Sequence, residues 1–201
     1  GEKAMEIYHF IQQHQDNIFL LKGNHELMMR DFLMKEDWAC PQGRIWQCNG
    51  GDKTMKQMEK FLQKDCCNKK DFECRRKEFR TWLIDYINSL PSYIEVNVGG
   101  QALVLIHAGI DPERPLHEQD EEICAWIREW FYMSPALKGK TIIFGHTPLC
   151  HLNGGENFNV WFDPYYHDKI GIDGGLGPFD NGQLNCLCLN DMSVTVIRKK
   201  D

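Results

Sequence analysis

The sequence predicts an α/β fold in which helices come first and strands follow. Apolar residues repeat with the helical period in the first half of the chain, and from about position 93 they follow the pattern of strands. Short strand-like segments then continue towards the end, an order typical of an α/β plan. The 201 residues, of which 42% are hydrophobic, suffice for a sizeable core, so we expect one domain over residues 1–201.

The first elements are helical, apart from one apolar run. Residues 4–12 place apolar side chains at helical spacing, and residues 26–34 are rich in helix formers. Between them, residues 17–21 (NIFLL) are predicted to form a short buried strand, and the residues after it form a turn.

Helices continue as far as position 90. A helix is predicted over residues 53–63, after the interruption at Asn49-Gly50-Gly51. The clearest helix covers residues 78–90, whose apolar residues recur at steps of three and one, as in a stripe packed on a core. The segment 38–71 is a possible helical cap or insertion.

From residue 93 the pattern is that of strands. Residues 93–98 and 102–106 flank a Gly-Gly turn and are predicted to form a β-hairpin that ends at His107. A helix is expected over residues 121–132, and an apolar strand over residues 141–144. The remaining strands are expected to form a β-meander, at residues 159–162, 169–172, 184–189 and 193–198.

Charge and composition argue against several classes of partner. The net charge of -6 gives the surface no overall attraction for nucleic acid or anionic lipid. The longest apolar stretches are far shorter than the ~20 residues that cross a bilayer, so we expect no membrane span. Nine cysteines lack the paired CxxC spacing of zinc knuckles. We interpret them as reduced thiols of a cytoplasmic protein, and no secretory leader is visible.

Residues that can bind metals follow three of the predicted strands. Asn24 and His25 come after NIFLL. His107 comes after ALVLI, and His146 after TIIFG. Because strand ends share one edge of an α/β sheet, we expect a site there. An amide oxygen and two imidazoles suit Mn²⁺, Fe²⁺ or Zn²⁺ better than Ca²⁺ or Mg²⁺. A single histidine after a strand is more often a hydrogen-bonded structural residue, but the joint pattern favours a metal site.

Short motifs then indicate a family. In their order along the chain, three of them resemble the later motifs of the calcineurin-like metallophosphoesterases: Gly23-Asn24-His25-Glu26, His107-Ala108-Gly109 and Gly145-His146-Thr147-Pro148. The bacterial and phage type of serine/threonine protein phosphatase is indicated by further matches, which are Asn49-Gly50-Gly51 with Thr54, Trp126-Ile127-Arg128, and Ile172-Asp173-Gly174-Gly175 with Gly174 where that family has Thr. The resemblance extends from about residue 17 to residue 198.

The resemblance implies a calcineurin-like β-sandwich flanked by helices, with two divalent metal ions (Mn, Fe or Zn) as cofactors. Asn24, His107 and His146 would bind one ion of this pair. The family's Asp-x-His and Gly-Asp-x-x-Asp-Arg-Gly motifs, which hold the other ion, do not occur upstream of Asn24. We therefore expect that the N-terminal strands are missing, that the domain is N-terminally incomplete, and that the chain by itself binds metal weakly and turns over little substrate.

Two further roles follow from the resemblance. His25 would face the substrate and protonate the leaving oxygen, a role that suits an imidazole. Arg128 would bind the phosphate through its planar fork of donors. The alternative for Arg128 is a solvated helix arginine beside Glu129. Asp173 is expected to hold a turn near the site and not to bind metal.

The implied reaction is hydrolysis of a phosphate monoester by in-line attack of a metal-bound hydroxide. The expected substrate is a phosphoprotein carrying phosphoserine or phosphothreonine, or a small phosphoester. One alternative is a symmetrical dinucleoside tetraphosphatase, which resembles the family in the same motifs. A second alternative is a non-catalytic binding module with an incomplete metal site.

Overall fold

The structure, a computed structural model, describes residues 3–64 and 66–199 of the chain. It divides into two compact units, Gly1–Leu90 and Pro91–Asp201. The first unit is helical, and the second combines helices with strands. The chain therefore has the mixed α/β class that the sequence predicts, whereas the expectation of a single domain stays a prediction.

Five helices make up the described part of the first unit. They are α1 (Ala4–Gln13), α2 (Asn24–Lys35), α3 (Pro41–Cys48), α4 (Gly51–Gln63) and α5 (Lys69–Ser89). Their core is an aromatic and aliphatic cluster that includes Phe32, Trp46 and Ile87. Helix α5 begins earlier than its apolar stripe, because the side chain of Asn68 accepts a hydrogen bond from Asp71 N at 3.0 Å and caps the helix. The predicted helices of this unit are confirmed, and the role of 38–71 as a cap stays a prediction.

The strand expected over residues 17–21 is wrong. This segment has no regular secondary structure, and the side chain of Phe19 is 83% exposed. A strand needs a neighbour for its backbone hydrogen bonds, and within the described residues every strand belongs to the second unit. The apolar run is present in the sequence, but among the described residues it pairs with no strand.

Seven strands form two sheets in the described part of the second unit. The larger sheet contains β1 (Tyr93–Val98), β2 (Gln101–Ile106), β3 (Lys140–Phe144), β4 (Trp161–Phe162) and β5 (Lys169–Gly171), in the order β1-β2-β3-β5-β4. The smaller sheet pairs β6 (Gln183–Leu187) with β7 (Val194–Arg198). Gly99 and Gly100, with φ of 59° and 85°, make the tight turn of the predicted β1-β2 hairpin.

The larger sheet has an apolar cluster on each face. Leu103, Ile143 and Ile170 lie on one face and pack against residues of and after β6. Their strand neighbours Val104 and Ile142 lie on the other face, in a cluster with residues of the helical segments between β2 and β3. This alternation is the period of two that strands impose.

Two predictions about this unit need correction. The later strands do not form one β-meander, because β5 pairs in parallel with β3 while β6 and β7 form a separate sheet. The helix expected over 121–132 is broken into α6 (Glu121–Trp126) and α7 (Glu129–Tyr132). The Cys124 carbonyl, which would accept from Arg128 N in a continuous helix, accepts from Ala108 N at 2.8 Å instead. Tertiary hydrogen bonding thus overrides the local helical pattern.

Two short helical elements complete the unit, a 3₁₀ turn at Leu116–Glu118 and α8 at Cys150–Asn153. Among the described helices of the whole chain, none has the length and apolar character needed to cross a membrane.

Candidate functional site

The candidate site lies where three parallel strands end. Strands β2, β3 and β5 run in the same direction, and their last residues Ile106, Phe144 and Gly171 are in register. The chain therefore leaves all three strands at one edge of the sheet. His107 follows β2 directly, and His146 follows β3 after one glycine.

His107 and His146 lie side by side at this edge. Their ring centres are 5.0 Å apart and their planes are inclined by 53°. Gly145 N donates to His107 O at 2.8 Å, which ties together the two turns that carry the imidazoles. Two imidazoles that bind one ion at about 2.1 Å place their ring centres roughly 5 Å apart, so the spacing fits a shared divalent ion.

The backbone at His146 is strained. Its φ is +62°, a region that residues with a side chain rarely adopt. Thr147 N donates to Gly145 O at 2.6 Å across this residue, and a bond of this span with positive φ at the centre is the mark of the rare, strained γ-turn. Such strain persists only where the surroundings hold it, and it is concentrated at functional sites.

Surrounding residues fix this turn. The ring of Trp126 meets that of His146 edge to face, with centres 5.7 Å apart and an angle of 84°. On the far side of the turn, Leu149 N donates to Asp173 O at 2.9 Å, and Leu149 is fully buried. Asp173 Oδ1 also accepts from Gly175 N at 2.8 Å, so Asp173 makes the kind of turn contacts expected of it.

Arg128 reaches the same turn from the break between α6 and α7. Its Nη1 donates to Thr147 Oγ1 at 3.1 Å, and Arg128 itself is half-buried. The structure thus gives Arg128 a tertiary partner next to His146. Thr147 is part of the Gly145-His146-Thr147-Pro148 motif, but the sequence assigned it no role of its own.

Asn24 and His25 begin helix α2 in the first unit. Asn24 is 8% exposed, and Gly23 N donates to Glu26 Oε2 at 2.9 Å, as in a capping box. Although His25 reaches solvent, partial desolvation of its ring lowers the pKa of the imidazole, against the opposing charge of Glu26. The motif therefore forms a capped helix start, with the two polar residues in its first turn.

The set of candidate metal ligands in the second unit is small. In the part of the chain that the structure describes, no three side chains of His, Cys, Asp or Glu are grouped so as to hold a metal.

Comparisons with known proteins give little more. A scan against models of protein families finds no match, and neither does a search of the curated proteins. One solved structure, of a hypothetical protein from Pyrococcus horikoshii, is similar over 97% of this chain and 68% of its own, with a TM-score of 0.46 and 11% sequence identity. A likeness at this level carries no argument about function.

Proposed function

We propose that the chain hydrolyses phosphate monoesters with the help of divalent metal ions, and that its main substrate is phosphoserine or phosphothreonine in proteins. One observation carries this proposal. His107 and His146 follow the ends of parallel strands with their ring centres 5.0 Å apart, and Arg128 donates a hydrogen bond to Thr147, the residue after His146. A pair of imidazoles beside a guanidinium offers one place for a cation and one for an anion. A phosphate ester with its metal ion has this pattern of charge.

In this proposal His107, His146 and Arg128 have distinct roles. His107 and His146 would hold the ion through neutral ring nitrogens. A divalent ion bound there supplies positive charge to the phosphoryl oxygens and lowers the pKa of a bound water. Arg128 binds and orients the phosphate through charge-assisted hydrogen bonds from its remaining N–H groups.

Other parts of the proposal are supported by the sequence motifs alone. These are the role of Asn24 as a further ligand of one ion of a Mn, Fe or Zn pair, the role of His25 as the proton donor to the leaving oxygen, and the calcineurin-like sandwich fold. We also propose that the protein is cytoplasmic, in keeping with its nine free cysteines.

The proposal is tested by metal content and orthophosphate release in the same preparations. The full chain is assayed in saturating Mn²⁺, because weak metal binding is expected, and is given a phosphoserine peptide. We expect His107→Ala and His146→Ala to lose both bound metal and activity. Arg128→Ala should keep its metal and lose activity by about 10² to 10³-fold, the usual effect of removing one group that stabilises developing charge. His25→Asn should keep its metal and lose about 10² to 10⁴-fold, as for a general acid.

His117→Ala is the matched control, because the His117 side chain is 78% exposed and its ion-pair partner is its neighbour Glu118, at 3.5 Å. It should change neither metal content nor activity. If the wild-type protein holds no Mn, Fe or Zn and releases no orthophosphate, the proposal fails and a non-catalytic binding module remains. Cleavage of diadenosine tetraphosphate to ADP without release of orthophosphate from the peptide would establish the dinucleoside tetraphosphatase instead.

A further inference from the structure

We infer that Thr147 is a positioning residue, whose hydroxyl holds the Arg128 guanidinium in the orientation that binds phosphate. This inference rests on the proposed function, since it concerns the anion-binding half of that site.

The contact between them is a tertiary hydrogen bond. Arg128 Nη1 lies 3.1 Å from Thr147 Oγ1, and the two residues are 19 positions apart in the chain. Thr147 is only 2% exposed. A buried hydroxyl needs a hydrogen-bond partner, and here a charged donor supplies it.

The hydroxyl of Thr147 sits on a fixed backbone. Thr147 N closes the strained turn around His146 with its bond to Gly145 O, at 2.6 Å. Two residues later the chain is held again, where Leu149 N donates to Asp173 O at 2.9 Å. Because the backbone is held on both sides and a buried, β-branched side chain has few rotamers, Oγ1 moves less than the long arginine side chain that bonds to it.

Arg128 is held at its side chain by this bond and at its backbone carbonyl by Phe131 N and Tyr132 N, which donate to it at 2.9 and 3.4 Å. It lies at the break between α6 and α7, where Ile127 is extended and the helical hydrogen bonds are interrupted. An arginine side chain has many rotamers, and fixing one of them before the ligand arrives reduces the entropy lost on binding. The bond to Thr147 uses one N–H of the guanidinium, and the remaining N–H groups can still donate to phosphate oxygens.

The test measures the affinity of the full chain for inorganic phosphate in the presence of Mn²⁺, by titration calorimetry. Thr147→Val removes the acceptor at nearly constant shape, and we expect phosphate to bind about three- to tenfold more weakly, the range of one typical hydrogen bond, because the lost bond orients the arginine and does not itself contact the phosphate. Thr147→Ser restores the hydroxyl and should bind within about twofold of wild type. Thr195→Val, the same exchange at an exposed position of β7, is the matched control and should have no effect.

A double-mutant cycle separates positioning from a general structural role. Arg128→Ala should weaken phosphate binding more than Thr147→Val does, and adding Thr147→Val to Arg128→Ala should cause no further loss. In turnover, Thr147→Val should raise KM more than it lowers kcat. Thr147→Ala, which also lacks the hydroxyl, serves if Thr147→Val does not fold, as judged by thermal unfolding.

Wild-type affinity in Thr147→Val, or an equal further loss in the Arg128→Ala background, overturns the inference. So does a wild-type protein that binds no phosphate. The proposed function fails separately: if phosphate binding follows the expected cycle but no orthophosphate is released from any ester, the role of Thr147 stands and the hydrolase does not.

Discussion

The two ends of the larger sheet hold polar side chains in opposite ways. At the amino end of β5, the Lys169 ammonium is fully buried, 2.7 Å from Asp163 Oδ2, 2.5 Å from Asp168 Oδ1 and 2.8 Å from Ser134 O. At the carboxyl end, His107, His146 and Arg128 are half-buried. At the amino end the charged groups are paired with each other, whereas at the carboxyl end the two imidazoles and the guanidinium belong to residues that are only partly buried.

The difference distinguishes a structural cluster from a candidate site. At the amino end the ammonium also lies over the Tyr166 ring, 4.7 Å from its centre, and Asp168 Oδ2 accepts from Ala136 N at 2.6 Å. Buried charges of this kind are retained when they are paired and hydrogen-bonded. At the carboxyl end the turn around His146 is strained, a cost to folding that a function can explain.

The largest effect on stability is expected at Lys169. Lys169→Met leaves the buried Asp163 carboxylate and the partly buried Asp168 carboxylate without their cation, and removing one partner of a buried pair costs about 3–5 kcal/mol. We expect this loss in the free energy of unfolding, measured with urea. Lys138→Met, at an exposed position, is the control and should remain within about 0.5 kcal/mol of wild type. A cost below about 1 kcal/mol at Lys169 would mean that the amino-end cluster is not structural.

Acid should weaken the same cluster. Burial by itself raises the pKa of Asp163, but the hydrogen bonds from Lys169 and from the backbone of Tyr165 and Tyr166 outweigh it, so the pKa lies below its usual value of 3.8. The pair therefore contributes fully to stability above about pH 4 and loses that contribution as the pH falls through the lowered pKa. The stability difference between wild type and Asp163→Asn should shrink as urea unfolding is followed from pH 6 towards pH 3. A constant difference would contradict this role.

The sequence predicted the local elements of the fold far better than their partners. Apolar periodicity was enough for α5 and for the β1-β2 hairpin, because those patterns are local. It failed for residues 17–21, where a strand-like run has no neighbour, and for 121–132, where Ala108 N takes the carbonyl of Cys124. Both failures depend on hydrogen bonds from elsewhere in the chain, which a local pattern does not contain.

The candidate site was predictable to the same extent. The sequence places His107 and His146 after two predicted strands, which indicates that they lie close together. In the structure, β2 and β3 are parallel and in register, so the two imidazoles are neighbours. The bond from Arg128 to Thr147 was not predictable, because it depends on the helix break. The buried pair of Lys169 with Asp163 had no sequence signal either, since a lysine that begins a strand is more often exposed.

The smallest effect, and the sharpest contrast, is expected at His146 itself. Glycine adopts positive φ without a side-chain penalty, so His146→Gly should relieve the strain at φ +62°. We expect the variant to lose its bound metal and yet to unfold with a free energy about 1 kcal/mol above that of wild type, or at least not below it, the range seen when the backbone and the residue type are brought into agreement.

His107→Gly is the matched comparison, because His107 is the other candidate ligand and its φ is not positive. Here glycine relieves no strain and adds backbone freedom to the unfolded chain, so this variant should lose both its metal and about 0.5–1 kcal/mol of stability. Opposite signs of the stability change, together with the same loss of metal in both variants, would show that the turn at His146 is strained to present its imidazole. Equal destabilisation in the two variants would instead make the positive φ a feature of the fold alone, and the contrast between the two ends of the sheet would lose its main support.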